Sequence, residues 1–313
     1  MIYFDNAATT YPKPPSVIRA AVRAFEEFGA NPGRAGHKFS AETAEAVFKS
    51  RQKCADFFGA EVENTAFTLN CTLALNMAIK GVLYDGSHII TSDLEHNAVI
   101  RPIHAWAKHK GAYSIAKAGK TDRETLKNFE ELIMPNTSAI VCTAASNVTG
   151  QRLPLAKIGA LCRKFGICFI VDAAQGAGIF PIILADDINI ICAAGHKGLY
   201  GPMGTGLIVT DGKFPLKSII EGGTGSLSSA IEQPDFMPDM LESGTINTPG
   251  VIALGAGIDF VVKKGIDKIR KHEDTLCKIL LDEIADNDKI TVYRNNECAN
   301  APVISFNIKS FSS

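Results

Sequence analysis

The chain has no surplus of either charge: 32 Lys and Arg stand against 33 Asp and Glu, for a formal net charge of −1. That removes the broad basic field by which proteins gather nucleic acid or anionic membrane. Long apolar runs are also missing. Even residues 251–262 are interrupted by Asp259 and are too short to span a bilayer. The opening residues lack the basic, apolar and small-residue succession of a signal peptide, so a cytoplasmic location is expected. The eight cysteines form no Cys-x-x-Cys pair and several sit inside apolar runs, which reads as free buried thiols. His104 and His109 would fall on different parts of a helix with no third ligand near in sequence, so no metal site is expected. No Gly-x-Gly-x-x-Gly follows an early strand, which argues against a nicotinamide dehydrogenase. Repeats and low-complexity tracts are absent.

What is present is a globular chain of 313 residues, 46% hydrophobic and 21% charged. That length can bury about three quarters of its unfolded surface and suits more than one domain. Residues 1–13 read as an arm without helical period. Pro14-Pro15 opens a helix to about Phe28, and Ser40 is placed to cap a second helix to about Phe58. Then short apolar strands (near 65–69, 87–91, 138–143, 167–171, 188–192 and 206–210) alternate with amphipathic helices (near 72–82, 97–110, 122–133 and 154–166). This is the signature of an α/β fold with a parallel sheet. Residues 211–248 form a Gly-, Ser-, Pro- and Asp-rich connection, longer than an idle one and so expected to be functional. Helices follow from Pro249 to Gly265 and from Ile266 to Ile284, then strands at 290–293 and 303–308. The expected division is a large α/β domain over 14–250 and the start of a small α+β domain over 251–313.

The chemistry centres on residues 188–209, which read as a buried strand, a glycine-rich loop carrying Lys197, and a second buried strand. Gly195, Gly198, Gly201, Gly204 and Gly206 leave that backbone free to approach a ligand. Considered alone, Lys197 reads first as an ordinary surface lysine. At the end of an apolar strand, however, a partly desolvated amine loses affinity for its proton and can attack a carbonyl, of which pyridoxal phosphate is the obvious one. That cofactor is an electron sink only while its ring nitrogen stays protonated, which calls for a carboxylate. Asp172 follows the apolar run 168–171 at once, where parallel sheets present ligand groups. Thr68-Leu69-Asn70-Cys71-Thr72 stands at a strand-to-helix turn whose N–H groups and dipole suit a phosphate, though Thr72 could be no more than a helix cap.

Four segments, Tyr3-Phe-Asp-Asn-Ala-Ala-Thr-Thr10, Glu95-His-Asn97, Val171-Asp-Ala-Ala-Gln175 and Gly195-His-Lys-Gly-Leu-Tyr-Gly-Pro202, together resemble the cysteine desulfurases of the class V aminotransferase family. The run Glu221-Gly-Gly-Thr-Gly-Ser226 is similar to the mark of one branch. The resemblance implies a fold-type I transferase dependent on pyridoxal 5'-phosphate, with a mainly parallel sheet, covering helices and an incomplete small α+β domain. It implies that Lys197 binds the aldehyde and, with His96, moves the substrate proton. Asp172 would pair with the ring nitrogen, His96 would stack on the ring and Gln175 would bond the phenolic oxygen. Cys71, Thr72 and His196 would hold the phosphate, although Ala194 replaces a serine that many relatives use there. Asn147 would lie near the substrate carboxylate. Arg34 and His37 either join the substrate site or are simply solvated. Thr245 would reach the phosphate of a neighbouring subunit, making a homodimer with shared active sites.

The implied reaction converts L-cysteine to L-alanine and passes sulfur to an acceptor protein, as in iron–sulfur cluster assembly. The family carries its sulfur-accepting cysteine and a carboxylate-clamping arginine on a late loop. None of the eight cysteines occupies that position, so impaired turnover and a strand 303–308 without partners are expected. The alternatives are another C–S or C–Se lyase, an aminotransferase, or a cofactor-binding fragment without activity.

Overall fold

The computed structural model describes residues 2–33 and 36–311; Arg34 lies outside the described residues. Helix α1 (Pro15–Glu27) has proline in its first turn, where an N–H would have no helical acceptor. Helix α2 (Lys38–Phe58) begins earlier than a cap at Ser40 predicts. Its N-cap is His37, whose Nδ1 accepts from the Ser40 N–H at 3.2 Å, while the Ser40 hydroxyl donates to the Asn31 carbonyl at 2.9 Å. An imidazole nitrogen here does what a Ser or Asp oxygen usually does.

The alternation then runs β1 (Thr65–Thr68), α3 (Cys71–Val82), β2 (His88–Ser92), α4 (Asn97–Lys110), β3 (Ala112–Ala116), α5 (Asp122–Glu130), β4 (Thr137–Thr143), α6 (Leu155–Phe165), β5 (Cys168–Asp172), β6 (Ile190–Ala194) and β7 (Gly206–Thr210). These strands form one seven-stranded sheet in the order β1-β7-β6-β5-β4-β2-β3. Only the pairings of β7, with β6 and with β1, are antiparallel. Strand β3 was not foreseen. It lies at the sheet edge with only Ala116 buried, so its sequence Ala-Tyr-Ser-Ile-Ala carries no sustained apolar run.

Both faces of the sheet are covered, because alternate residues of each central strand point to opposite sides. Phe169, Val171, Ile191 and Ala193 join a core with Val47 and Phe58 of α2 and Ile158 and Cys162 of α6. Ile170, Ile190, Cys192 and Ala194 join a second core with Ala74, Leu75 and Ile79 of α3 and Val99 and Ile103 of α4.

Helix α7 (Thr248–Lys264) places Val251, Leu254 and Ile258 in the first of these cores. It is followed by α8 (Ile266–Ile284), β8 (Ile290–Tyr293) and β9 (Ser305–Ile308). Contrary to the expectation of an unpartnered last strand, β9 pairs antiparallel with β8, with Ile290 opposite Ile308.

Candidate active site

Asp172 ends β5 and the Lys197 turn follows β6, its neighbour in the sheet, so the topology delivers both to the carboxyl edge. Asp172 is buried, and its Oδ1 accepts from the Ala174 N–H at 2.9 Å and faces the Cys71 thiol at 3.5 Å. Burial pushes the Asp172 carboxyl above the usual range, while the Ala174 N–H, the Cys71 thiol and the nearby charges of Lys197 and His96 pull the other way. Among the described residues, no salt bridge engages Asp172 or Lys197. A buried carboxyl without a salt-bridge partner can receive a cationic group.

The head of α3 is brought to the same place by register. Thr68, Gly206 and Ala194 lie side by side across β1, β7 and β6. A methyl on Gly206 would stand 2.5 Å from the Asn70 backbone, so only glycine allows the start of α3 so close to β7. The Asn70 side chain accepts from the Leu73 N–H at 2.9 Å. Asn70 is therefore the cap, not Thr72. The N–H groups of Cys71 and Thr72, at the first two helical positions, have no acceptor within the helix, and the Thr72 side chain is exposed beside them. Free N–H groups at a helix N-terminus are suited to receiving an anion.

His196 is half-buried, its Nδ1 has no hydrogen-bond partner among the described residues, and burial, then Lys197 and Lys13, lower its pKa. His96 is the exposed N-cap of α4, with Nδ1 accepting from the Ala98 N–H at 3.1 Å. Gln175 donates from Nε2 to the Ala7 carbonyl at 3.0 Å, which leaves its Oε1 facing no donor in that contact. Tyr200 closes the Lys197 turn with its N–H on the Lys197 carbonyl at 2.8 Å, at φ 59°. For a bulky residue this conformation costs about 1–3 kcal/mol and is held by its surroundings, including edge-on packing against Phe260.

Asn147 lies exposed in the loop between β4 and α6, and the Nδ1 of His37 is engaged as a helix cap. Thr245 instead lines a cavity of about 410 Å³ with Asn31, Gly33, Gly225 and Ser226. The floor of that cavity is the buried pair Arg51 and Glu242, bonded twice, with the Phe67 N–H donating to the same carboxylate at 2.6 Å. A residue to which the sequence reading assigned no role is Glu95. Its carboxyl is buried, accepts from Ser92 Oγ and from the Thr143 N–H at 2.9 Å, and is pushed up to about 8 by burial, while Oε2 has no partner among the described residues. Its place beside His96 was the available signal; its burial was not.

Compared with known proteins, residues 2–313 match the family model described as aminotransferase class-V. The chain belongs to the class-V aminotransferases. This class-V chain is 31% identical over 320 residues to a probable cysteine desulfurase of Pyrococcus abyssi, covering 98% of its own length and 79% of the relative's. It is 29% identical to a probable cysteine desulfurase of Methanothermobacter thermautotrophicus, covering 99% of itself and 78% of that protein. Its fold overlays an apo cysteine desulfurase from Thermococcus onnurineus with a TM-score of 0.89 at 27% identity, covering 99% of this chain and 79% of that one. The α/β class-V architecture expected from the sequence is thus the observed one.

Proposed function

We propose that this class-V aminotransferase is a cysteine desulfurase that works with pyridoxal 5'-phosphate on L-cysteine and delivers sulfur to an acceptor. The observation that carries the reading is the buried Asp172 carboxyl, engaged in no salt bridge among the described residues, near the charge of Lys197 at the ends of adjacent strands. The names carried by the relatives agree with it.

When bound, pyridoxal phosphate supplies an aldehyde for amines and a ring that takes up the negative charge left at the substrate Cα. Asp172 would hold a proton on the ring nitrogen, and the dry setting strengthens that pairing. The N–H groups of Cys71 and Thr72, the Thr72 hydroxyl and His196 would hold the phosphate. His96 would cover the ring, with Gln175 at the phenolic oxygen. Lys197 would bind the aldehyde and then, displaced by the substrate amine, carry the Cα proton. Asn147 would orient the substrate carboxylate, with Arg34 and His37 as further candidates. Cys71 is unsuited to accepting sulfur, since burial and Asp172 raise its pKa and keep the thiol protonated.

In the same reading residues 14–250 carry the cofactor and 251–313 begin a smaller domain, with α7, which crosses that boundary and packs into the large domain's core, joining the two. Thr245, which lines a cavity whose walls do not include Lys197, serves the neighbouring subunit of a homodimer, and the exposed Ile18, Val22 and Phe25 of α1 supply apolar surface for association. A cytoplasmic setting fits eight unpaired cysteines, and no described helix is long and apolar enough to cross a membrane. Pyridoxal phosphate added to the purified protein should produce a visible absorbance band that L-cysteine perturbs and that Lys197→Ala lacks. The same band in the variant would overturn the assignment of Lys197.

A further inference from the structure

The N-terminal arm contributes little apolar surface to the core: Ile2 is 82%, Phe4 96% and Tyr11 60% exposed. Besides the bond from Gln175 to the Ala7 carbonyl, what ties it down is a group of polar contacts on two consecutive carbonyls of the lysine turn, 183 to 187 residues away in sequence. The His196 carbonyl accepts from the Thr10 N–H at 3.1 Å, from Thr9 Oγ1 at 3.2 Å and from Lys13 Nζ at 2.7 Å. The Lys197 carbonyl accepts from Thr10 Oγ1 at 2.7 Å as well as from the Tyr200 N–H.

A carbonyl oxygen has two lone pairs, so three donors, one of them a cation, exceed what closing a turn requires. Lys13 is half-buried there, and its desolvation pushes it down to about 8. An ammonium gives up water in this way only where it gains a fixed acceptor. On the far side of the same peptide, Tyr200 holds a left-handed conformation that would relax if the turn were free.

We propose that the N-terminal arm is a strap that positions Lys197: Thr9, Thr10 and Lys13 hold the carbonyls of His196 and Lys197, so that the amine's turn is in place before any carbonyl compound arrives. None of the three touches the reacting atoms, so they are positioning residues. The strap's use in catalysis rests on the reading of Lys197 given above; its effect on the turn does not.

The test is amide hydrogen exchange on the full chain without added pyridoxal phosphate, read on the segment 195–201, with the segment 168–172 of β5 as reference. Thr10→Val keeps shape but removes the donor, Thr10→Ser restores a donor, and Lys13→Met removes the ammonium. Losing one such bond should speed exchange of 195–201 roughly fivefold in Thr10→Val and Lys13→Met. The β5 segment should be unchanged, and Thr10→Ser should behave as the wild type. Added pyridoxal phosphate should then develop its absorbance more slowly in the two fast-exchanging variants. Wild-type exchange in both, or an equal acceleration of β5, would overturn the strap. Local acceleration without any absorbance band even in the wild type would uphold the strap and overturn the reading of Lys197 as the aldehyde's partner.

Discussion

Glu95 and Asp172 are two buried carboxyls, the charge of Asp172 disfavouring ionisation of Glu95, yet their surroundings differ. Asp172 has the charges of Lys197 and His96 to favour its ionised form, whereas Glu95 has the Ser92 hydroxyl and the backbone N–H groups of Ser92 and Thr143, and no cation, against the burial of its carboxyl. Glu95 therefore binds its proton more tightly folded than unfolded. The contribution is fully present below the unfolded pKa and is lost as pH rises to the folded one, from about 4.5 to about 8. Glu95→Gln cannot ionise and keeps the oxygen that Thr143 and Ser92 use. In urea melts across that interval, the variant should lose less stability with rising pH than the wild type. Parallel pH profiles would show that Glu95 is not protonated in the fold. Asp172 and Lys197 were legible because each stands at the end of an apolar strand. Glu95 was not, since a carboxyl between Leu94 and His96 in a loop looks solvated until β4 is laid beside it.

The elements were read almost in full where an apolar period was sustained, and less well where a local donor or an edge position decided the matter. β3 lacked a buried face to betray it, and α2 is capped by a histidine nitrogen that no hydroxyl-based rule selects. The junction of α3 with β7 shows what patterning cannot convey. Glycine at 206 was expected to free the loop, but its φ is unexceptional and its service is to leave room for Asn70. Gly206→Ala should accordingly cost about 1–3 kcal/mol in denaturant unfolding, as overpacking against backbone does, and should weaken pyridoxal phosphate binding by pushing the α3 terminus away. Wild-type stability together with wild-type affinity would mean that α3 does not depend on this approach.

Taken as a body, the chain has Asp172 and the Lys197 turn at one sheet edge and a cavity lined by Thr245 and floored by Arg51 and Glu242. If Thr245 serves the partner, Lys197→Ala and Thr245→Val chains co-expressed as a mixed dimer should recover one intact site that neither homodimer has. Half the wild-type absorbance per mixed dimer is expected, and none would place Thr245 in its own subunit's site. Periodicity, strand-end position and helix-start chemistry are local properties, written within a few residues, and they were enough for the α/β class, for the order of elements apart from β3, and for the strand-end positions of Lys197 and Asp172. Which carboxyl is dry, which glycine admits a neighbouring backbone, and that Thr10 and Lys13 bind carbonyls far along the chain depend on segments meeting in space. Desolvation and close approach belong to those meetings, and no single stretch of residues encodes them.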